Sequence, residues 1–429
     1  MNMSAIPEAK EHVCGEGRLF TARTGAKDII SIEGSVLGGP HYYLHSNEMI
    51  PVLAAELFDA GTKKRKKEAL REALAARGAT LSFDASGDRL GFSARCFPED
   101  VSFMLALIRE CLHDSTFSET ELAALKVREL ARLAEEKTDT DSQAHTALMR
   151  MLYENSHVNY AHTPEELERS VKKIRRSELA ALQKTLGTRG LVLALTGNID
   201  EEKTLEVARK VFGKPAPRSF EPLAKKQNTK TPSGGERTLH IAGKANVDVY
   251  LGGAVPLTKN DALYHPFTLV ADMLGGGFAA HLMQTVRERD GLTYRTYAHA
   301  SGFGDGSDGY LEMYASFNPA RYEESVDIFR TEIRKFFAEG ITETALEKKK
   351  EEVAGAYLVS LSTTRGLARA LHRLGTFDRP LSYLYEYPDI IDRIRLEEAR
   401  KAADIVPLSR LSLSAAGTFP EKMGRKKCS

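Results

Sequence analysis

The chain has 429 residues, which is more than one ordinary domain needs, so we expect two or three domains. Hydrophobic residues make up 42% of the chain, charged residues 28%, and the formal net charge is +1. This balance is typical of a soluble globular protein and gives no reason to expect a nucleic-acid or membrane partner.

The N-terminal segment and the cysteines favour a cytoplasmic protein. The first residues, MNMSAIPEAKEHVCGEG, lack the apolar stretch of a signal peptide. No apolar run approaches the roughly 18 residues that a membrane span requires. The cysteines are scattered without a CxxC pair, which favours reduced thiols over disulfides or a zinc knuckle: Cys14, Cys96, Cys111 and Cys428.

The first half alternates predicted strands and helices. Residues 18–38 suggest two strands, and MIPVLAAELFDAGT suggests an apolar helix that stops at Gly61. A basic helix over 63–77 and two alternating strands, ATLSFDAS and RLGFSARCF, come next. LVLALTGNID closes the half as a buried strand, after four segments with helical periodicity: 98–113, 119–136, 145–153 and 164–186.

Residues 214–238 are rich in Pro, Lys, Ser and Gly, a composition that indicates an exposed linker. The same order of elements begins again after it. Equivalent landmarks in the two halves are 220 to 224 positions apart: Pro98 and Pro319, Glu119 and Glu343, Gly197 and Gly417. We therefore predict a tandem duplication, with an N-terminal domain over 1–213, a C-terminal domain over 239–420 and a tail over 421–429.

The predicted fold class is α+β. Hairpin-like strand pairs alternate with helices in both halves, which favours two similar α/β-layer domains. Each domain is expected to contain a mixed, mainly antiparallel sheet with helices packed on it.

One stretch of the second half, GGGFAAHLMQTVRERDGLTY (275–294), combines a glycine triplet, a short amphipathic helix and a turn. Phe278, Leu282 and Val286 recur at helical spacing, and Asp290-Gly291 then ends the helix. Arg287 and Tyr294 are thereby held at the two ends of one helix-turn-strand unit. Spacing alone favours ordinary packing with a solvated charge run over a functional pair.

From about 20 to 419 the chain resembles one subunit of the insulinase/pitrilysin-like metallopeptidases, in the branch that includes mitochondrial processing peptidase. The features that carry the resemblance are the duplication, LFDAGTKKR, LTGNIDEE and above all GGGFAAHLMQTVRERDGLTY. The resemblance implies that the two domains form half of a clamshell. It also implies that the subunit pairs with a homologous chain.

Active members carry HxxEH on the helix before the GT turn, where two His at i and i+4 bind zinc and Glu is the general base. Counting back from Gly61 places Val52, Ala55 and Glu56 at the His, Glu and His positions. The third ligand falls near Arg132 or Leu133. Glu135 or Glu136 would be its substitute in a shifted register. The resemblance therefore implies no zinc site of the family's kind in this chain.

Other clusters are weaker candidates. His41, His45 and Glu48 have a helical-type spacing but follow Gly38-Gly39-Pro40, which indicates a loop rather than a metal site. For His157 and His162 a polar surface role is the expected one. No GxSxG or Cys-His signature of a catalytic triad stands out.

The remaining motifs favour structural roles. The glycine triplet lacks the Lys-Ser/Thr of a phosphate loop, and the basic run 63–67 is expected to be a solvated face, with an acidic partner surface as the alternative. GFGDGSDG (302–309) suggests a flexible hairpin between strands. A calcium loop is the alternative, but the segment lacks the regular ligand spacing and the closing Glu of such a loop.

In the family, an Arg and a Tyr seven residues apart in the C-terminal domain reach toward the zinc site. Arg287 and Tyr294 match this pair, which implies a zinc-less subunit that donates both residues in trans to an HxxEH partner and its peptide substrate. Zinc is then expected in the partner and no cofactor in this chain. The alternatives are an inert structural or peptide-binding homologue, like the core subunits of respiratory complexes, and an enzyme active through displaced metal ligands.

Overall fold

The computed structural model describes residues 6–213, 220–223, 234–304, 306–406 and 408–419. The strands are β1 (Ala9–Cys14), β2 (Gly17–Arg23), β3 (Ile30–Leu37), β4 (Thr80–Ser86), β5 (Arg89–Cys96), β6 (Val192–Gly197), β7 (Gly235–His240), β8 (Val247–Val255), β9 (Thr296–Ser301), β10 (Gly309–Phe317) and β11 (Ser412–Gly417).

The α-helices within the described ranges are α1 (Met49–Leu57), α2 (Lys67–Ala75), α3 (Val101–Asp114), α4 (Glu119–Glu136), α5 (Thr140–Leu152), α6 (Pro164–Lys173), α7 (Arg176–Thr185), α8 (Glu201–Phe212), α9 (Tyr264–Gly275), α10 (Tyr322–Lys335), α11 (Glu343–Ser360), α12 (Thr364–Thr376), α13 (Tyr383–Asp392) and α14 (Leu396–Ala403). No helix in the described part of the chain combines the length and apolar composition needed to cross a membrane.

Five strands of each sheet share one topology, which confirms the predicted duplication and the mixed, mainly antiparallel sheets. One sheet has the order β1-β2-β6-β3-β5-β4, and the other has the order β7-β11-β8-β10-β9. Each contains one parallel pair, β2 with β6 and β11 with β7, and its other pairs are antiparallel. The first sheet therefore has the five strands of the second plus β1 at one edge.

Two glycines occupy equivalent positions in the two sheets. Gly197 (φ +133°) ends β6 and Gly417 (φ +156°) ends β11. A Cβ there would lie 2.1 Å from the carbonyl oxygen of Ile29 and 2.6 Å from that of Asn246, the residues just before β3 and β8. Both positions need glycine for the same reason, because its missing Cβ permits the positive φ and the close backbone approach.

The chain forms two compact units that are discontinuous in sequence. One contains residues 1–131, 168–223 and 355–388, and the other contains 132–167, 224–354 and 389–429. The predicted domains, 1–213 and 239–420, are instead continuous segments that follow the sequence repeat. Each compact unit thus takes a helical segment from the opposite half of the sequence.

The first unit has α12 on its sheet. Leu367, Leu371 and Leu374 of this helix pack with Phe20 and Val192 in one buried cluster. These leucines recur at the spacing of one helical face, so α12 buries a single apolar stripe.

The second unit has α5 on its sheet. Ala144, Leu148 and Leu152 pack with Tyr250 of β8 and Tyr314 of β10 in a second buried cluster. The covering helix therefore uses the same kind of apolar stripe in both units.

Most predicted elements are present, but the structure corrects the extents of some of them and adds others. Helix α1 ends at Leu57 rather than near Gly61, and α5 starts at Thr140 rather than residue 145. The basic helix starts at Lys67 rather than residue 63, because the Thr62 hydroxyl accepts bonds from the backbone of Lys64 and Arg65 and holds a turn there. The helical segment 164–186 is two helices, since Arg175 has extended backbone. Helix α8 was not predicted; Asp200 begins it by accepting a bond from the Lys203 amide.

The predicted linker 214–238 differs from the structure at its end. Residues 235–238 belong to β7, which pairs with β11, so these exposed residues form an edge strand rather than part of an irregular linker. Phe220 lies 4.5 Å, centroid to centroid, from Tyr42. The rest of the linker, 214–219 and 224–233, and the tail 421–429 lie outside the described residues.

Candidate functional site

The Gly275–Gly277 triplet joins α9 to the segment that carries Arg287. A Cβ on Gly275 would lie 1.9 Å from the Ala298 nitrogen, and one on Gly276 would lie 2.6 Å from an Asp272 carboxylate oxygen. Gly277 has φ +109°, which side chains rarely adopt. All three positions therefore need glycine for packing and backbone conformation, as the sequence predicted.

The helix that follows is wound more widely than an α-helix. Residues Met283–Arg289 form a π-helix, in which the Asp290 amide bonds the Thr285 carbonyl at 3.0 Å, five residues back. Isolated π-turns are rare and occur often at functional sites. Leu282 and Val286 are fully buried, in agreement with the predicted apolar face.

Phe278 does not belong to that buried face. Its side chain is 76% exposed, because the residue lies in the turn before the helix rather than within it. The guanidinium carbon of Arg287 lies 5.8 Å from the centroid of the Phe278 ring, within the range of a cation–π contact. The exposed phenylalanine thus provides a platform for Arg287.

Arg287 and Tyr294 both present hydrogen-bond donors to solvent. The Arg287 side chain is about one-third exposed, and its Nε lies 3.6 Å from Glu288 Oε1. Tyr294 is 94% exposed, yet its neighbours Leu292 and Thr293 are each 7% exposed. The backbone that carries Tyr294 is therefore anchored, while the phenol itself points into solvent. A guanidinium and a phenol held this way can donate bonds to a carbonyl oxygen or an oxyanion.

The positions equivalent to the zinc motif lie on α1. Val52 has no ligand atom, and Ala55 is 3% exposed. Glu56 Oε2 lies 3.2 Å from the Arg128 guanidinium, in an ion pair exposed to solvent. These three residues do not fit a zinc ion, because the set contains one carboxylate and neither imidazole.

The two positions expected for the third ligand, 132 and 133, carry no ligand side chain. Leu133 is fully buried and Arg132 forms an ion pair with Glu136. Among the residues that the structure describes, no three His, Cys, Asp or Glu side chains form a group that could hold a metal ion. This includes His41, His45 and Glu48, which surround the short 3₁₀ turn Pro40–Tyr43.

The prediction of a polar surface role for His157 is wrong. His157 is 2% exposed, its Nε2 lies 2.8 Å from Asp308 Oδ1, and its ring stacks on Tyr153 at 4.1 Å. Its Nδ1 accepts a hydrogen bond from the backbone N–H of Asn159. His162, by contrast, is 27% exposed and lies 3.4 Å from Glu166.

The same contacts revise the glycine-rich segment 302–309. It joins β9 to β10, as predicted, but Asp308 at its end is 1% exposed and is bonded to His157. Asn159 also bonds the carbonyls of Gly302 and Asp308. The described part of the segment is therefore anchored by one buried and two partly buried hydrogen bonds.

The basic run 63–67 is largely paired within its own unit. Lys63 lies 3.0 Å from Asp114, Lys67 lies 2.5 Å from Glu121, and Arg65 forms an ion pair with Glu110. These pairs favour the structural interpretation of the run.

The three described cysteines are free and buried. Burial raises the pKa of each thiol, that of Cys96 to about 12. A thiolate nucleophile is therefore disfavoured at these positions. Cys428 lies outside the described residues.

These observations define a class of protein: a duplicated α+β chain with substituted zinc positions and an exposed Arg/Tyr pair. The sequence matches the family model described as Insulinase (Peptidase family M16) over residues 53–165. Residues 175–353 match the model described as Peptidase M16 inactive domain. The chain belongs to the insulinase family, peptidase family M16, as a member that lacks the zinc motif.

Curated relatives span both halves of the chain. An uncharacterized zinc protease of Streptomyces coelicolor is 23% identical over 416 residues, 94% of this chain and 85% of the relative. The non-peptidase homolog YmxG of Helicobacter pylori is 22% identical over 351 residues, 81% of this chain and 79% of the relative. The names of these two relatives thus differ on peptidase activity.

Solved structures share the fold. A structure described as the peptidase M16 inactive domain from Pseudomonas fluorescens has a TM-score of 0.86 at 20% identity, and the match covers 96% of this chain and 98% of that one. A protease from Helicobacter pylori has a TM-score of 0.81 at 14% identity, and the match covers 96% of this chain and 100% of that one.

Proposed function

We propose that the chain is the zinc-less subunit of a heterodimeric insulinase-like metallopeptidase. In this proposal it supplies Arg287 and Tyr294 in trans to a partner that carries HxxEH and zinc. The observation that carries the proposal is a contrast within one chain. The zinc positions are Val52, Ala55 and an ion-paired Glu56, whereas Arg287 and Tyr294 keep their spacing and have solvent-accessible donors.

The chemistry of the two side chains suits peptide hydrolysis at another chain's metal. Attack of water on a peptide carbonyl places negative charge on its oxygen, and a fixed donor to that oxygen lowers the barrier. The Tyr294 hydroxyl is such a donor. The forked guanidinium of Arg287, oriented by Phe278, is suited to hold the peptide carbonyl nearby.

The names of the relatives are compatible with a division of roles between a zinc-bearing and a zinc-less subunit. One relative is called a non-peptidase homolog and others are called zinc proteases. The substitutions at Val52, Ala55 and Glu56 suggest that this chain belongs with the non-peptidase kind.

A second candidate is an inert structural or peptide-binding homologue. Of these two roles, the exposure of Phe278 and Tyr294 favours peptide binding, since aromatic side chains in solvent are suited to contact a peptide. It predicts peptide binding without any dependence of hydrolysis on Arg287.

The experiment is to purify the chain with any zinc-bearing homologue that copurifies from its native host, and then to separate the two. Zinc content is measured by mass spectrometry, and hydrolysis is measured on a library of quenched fluorescent peptides. We expect less than stoichiometric zinc and no hydrolysis for this chain alone, and hydrolysis when the two are mixed. Equal hydrolysis by the zinc-bearing chain alone would contradict the proposal.

A further inference from the structure

We infer that Glu332 is a positioning residue that fixes the direction of Arg287, an inference that rests on the proposed function of Arg287. Glu332 lies on α10 and its side chain is 3% exposed. It contacts His281, two residues before the π-helix that contains Arg287, and Arg289, the last residue of that helix.

The Glu332 carboxylate has three basic neighbours. Its Oε1 lies 2.9 Å from Lys335 Nζ and 3.2 Å from the Arg289 guanidinium. Its Oε2 lies 3.3 Å from His281 Nε2, and the same nitrogen lies 3.1 Å from the Glu332 carbonyl oxygen. Arg289 also holds Asp290 at 2.7 Å. A buried carboxylate without charged or hydrogen-bonding partners is strongly destabilising, so these contacts are expected to persist.

The ionisation of the cluster agrees with its geometry. Burial raises the pKa of Glu332, but the bonds from Lys335 and Arg289 outweigh burial and hold that pKa below its usual value. Burial lowers the pKa of His281, against the opposing effect of Glu332. A neutral His281 with its proton on Nε2 can donate to Glu332 without adding a charge to the site.

The winding of the segment explains why these contacts matter for Arg287. A π-turn contains about one residue more than an α-turn, and each α-helical residue turns the chain by about 100°. If the segment relaxed to α-helical winding, the side chain at position 287 would point in another direction. The contacts of His281, just before the π-helix, and of Arg289, at its end, hold the helix to α10 and oppose that relaxation.

The first measurement is hydrogen exchange on the full-length chain. In Glu332→Gln, which keeps the size but removes the charge, we expect amides of 283–292 to exchange about tenfold faster, while β8, β10 and β11 keep their protection. Glu332→Asp is expected to restore part of the protection. Glu324→Gln is the matched control, since Glu324 lies on the same helix and pairs with Arg321 at 3.0 Å on an exposed surface.

The second measurement is kcat and KM of the reconstituted complex on a quenched fluorescent peptide that it cleaves. Glu332→Gln is expected to lower kcat/KM by about 10- to 100-fold, the scale of a misplaced catalytic group. Arg287→Ala is measured in parallel. If this variant leaves hydrolysis unchanged, the proposed function is wrong, whereas the exchange result still stands. Faster exchange throughout the unit in Glu332→Gln, or unchanged exchange at 283–292, would overturn the positioning role.

Discussion

Gly275 and Ala298 approach so closely that a Cβ on Gly275 would lie 1.9 Å from the Ala298 nitrogen and 2.6 Å from its Cβ. We therefore expect Gly275→Ala to lower the free energy of unfolding by about 3 kcal/mol, because backbone in β9 must move. Chemical denaturation measures this effect.

Gly355 provides the matched control for that substitution. It lies inside α11, and a Cβ there would meet nothing within 4 Å. Gly355→Ala is expected to raise the free energy of unfolding by about 0.5–1 kcal/mol, because alanine loses less backbone entropy in a helix. Similar effects of the two substitutions would contradict the packing of α9 on β9.

The His157–Asp308 pair gives a second prediction about stability. Both side chains are almost completely buried, so Asp308→Asn or His157→Ala should cost about 3 kcal/mol by leaving a buried partner unsatisfied. His162→Ala serves as the control and should cost less than about 1 kcal/mol, since His162 and Glu166 form a partly exposed pair. A double-mutant cycle in denaturant that shows no coupling between His157 and Asp308 would refute this description.

His372 predicts a dependence of stability on pH. Burial, with a smaller effect of Arg89, lowers the pKa of His372 to about 4, and its Nε2 lies 2.8 Å from Ser35 Oγ. The unfolded chain, with a pKa near 6.5, binds the proton more tightly than the folded chain. The stabilisation by neutral His372 is therefore complete above about pH 6.5 and is lost as the pH falls toward 4.

The difference between wild type and His372→Asn isolates this residue. Between pH 7 and pH 4 the wild type should lose about 3 kcal/mol more unfolding free energy than the variant. If the unfolding free energies of the two proteins, measured by denaturant titration, changed by the same amount between these pH values, His372 would not be buried in its neutral form.

The substituted zinc motif predicts what is needed to regain metal binding. Val52 and Glu56 stand at i and i+4 of α1, so Val52→His with Glu56→His places two imidazoles on one helical face. We expect zinc to raise the Tm of this double variant and to leave the wild-type Tm unchanged. Val52→Gln with Glu56→Gln is the control without imidazoles. A zinc-dependent Tm in the wild type would point to displaced ligands instead.

Local signals in the sequence predicted many elements correctly. The hairpin β4–β5 follows strict alternation of apolar and polar residues. The apolar run before Gly61 forms α1 as predicted, but the helix ends at Leu57, four residues before that glycine. The duplication was visible because Gly197 and Gly417 keep a backbone requirement that no other residue meets easily. These features depend on neighbours in sequence or on the repeat itself.

Features that depend on distant partners could not be predicted. His157 looked like a loop residue because its partner, Asp308, lies 151 positions away. The sequence of α12 predicts an apolar stripe, but it contains no signal that this stripe packs on the sheet built from the first half of the chain. Phe278 continues the helical spacing of Leu282 and Val286, but the helix begins after it and then winds as a π-helix.

The candidate pair itself follows from the family resemblance rather than from the spacing of apolar residues. The structure adds that Arg287 lies over an exposed Phe278 and that Tyr294 extends from anchored backbone into solvent. Neither observation follows from the period of apolar residues, because both depend on the turn before the helix and the turn after it.

The most direct test is hydrolysis by the reconstituted two-chain complex with Arg287→Ala and Tyr294→Phe. Removal of one oxyanion donor should lower kcat by about 100- to 1000-fold, while zinc in the partner stays unchanged. Arg321→Ala is the matched control, an exposed arginine paired with Glu324 on α10. Full hydrolysis with both Arg287 and Tyr294 replaced would contradict the trans role and favour an inert, peptide-binding chain.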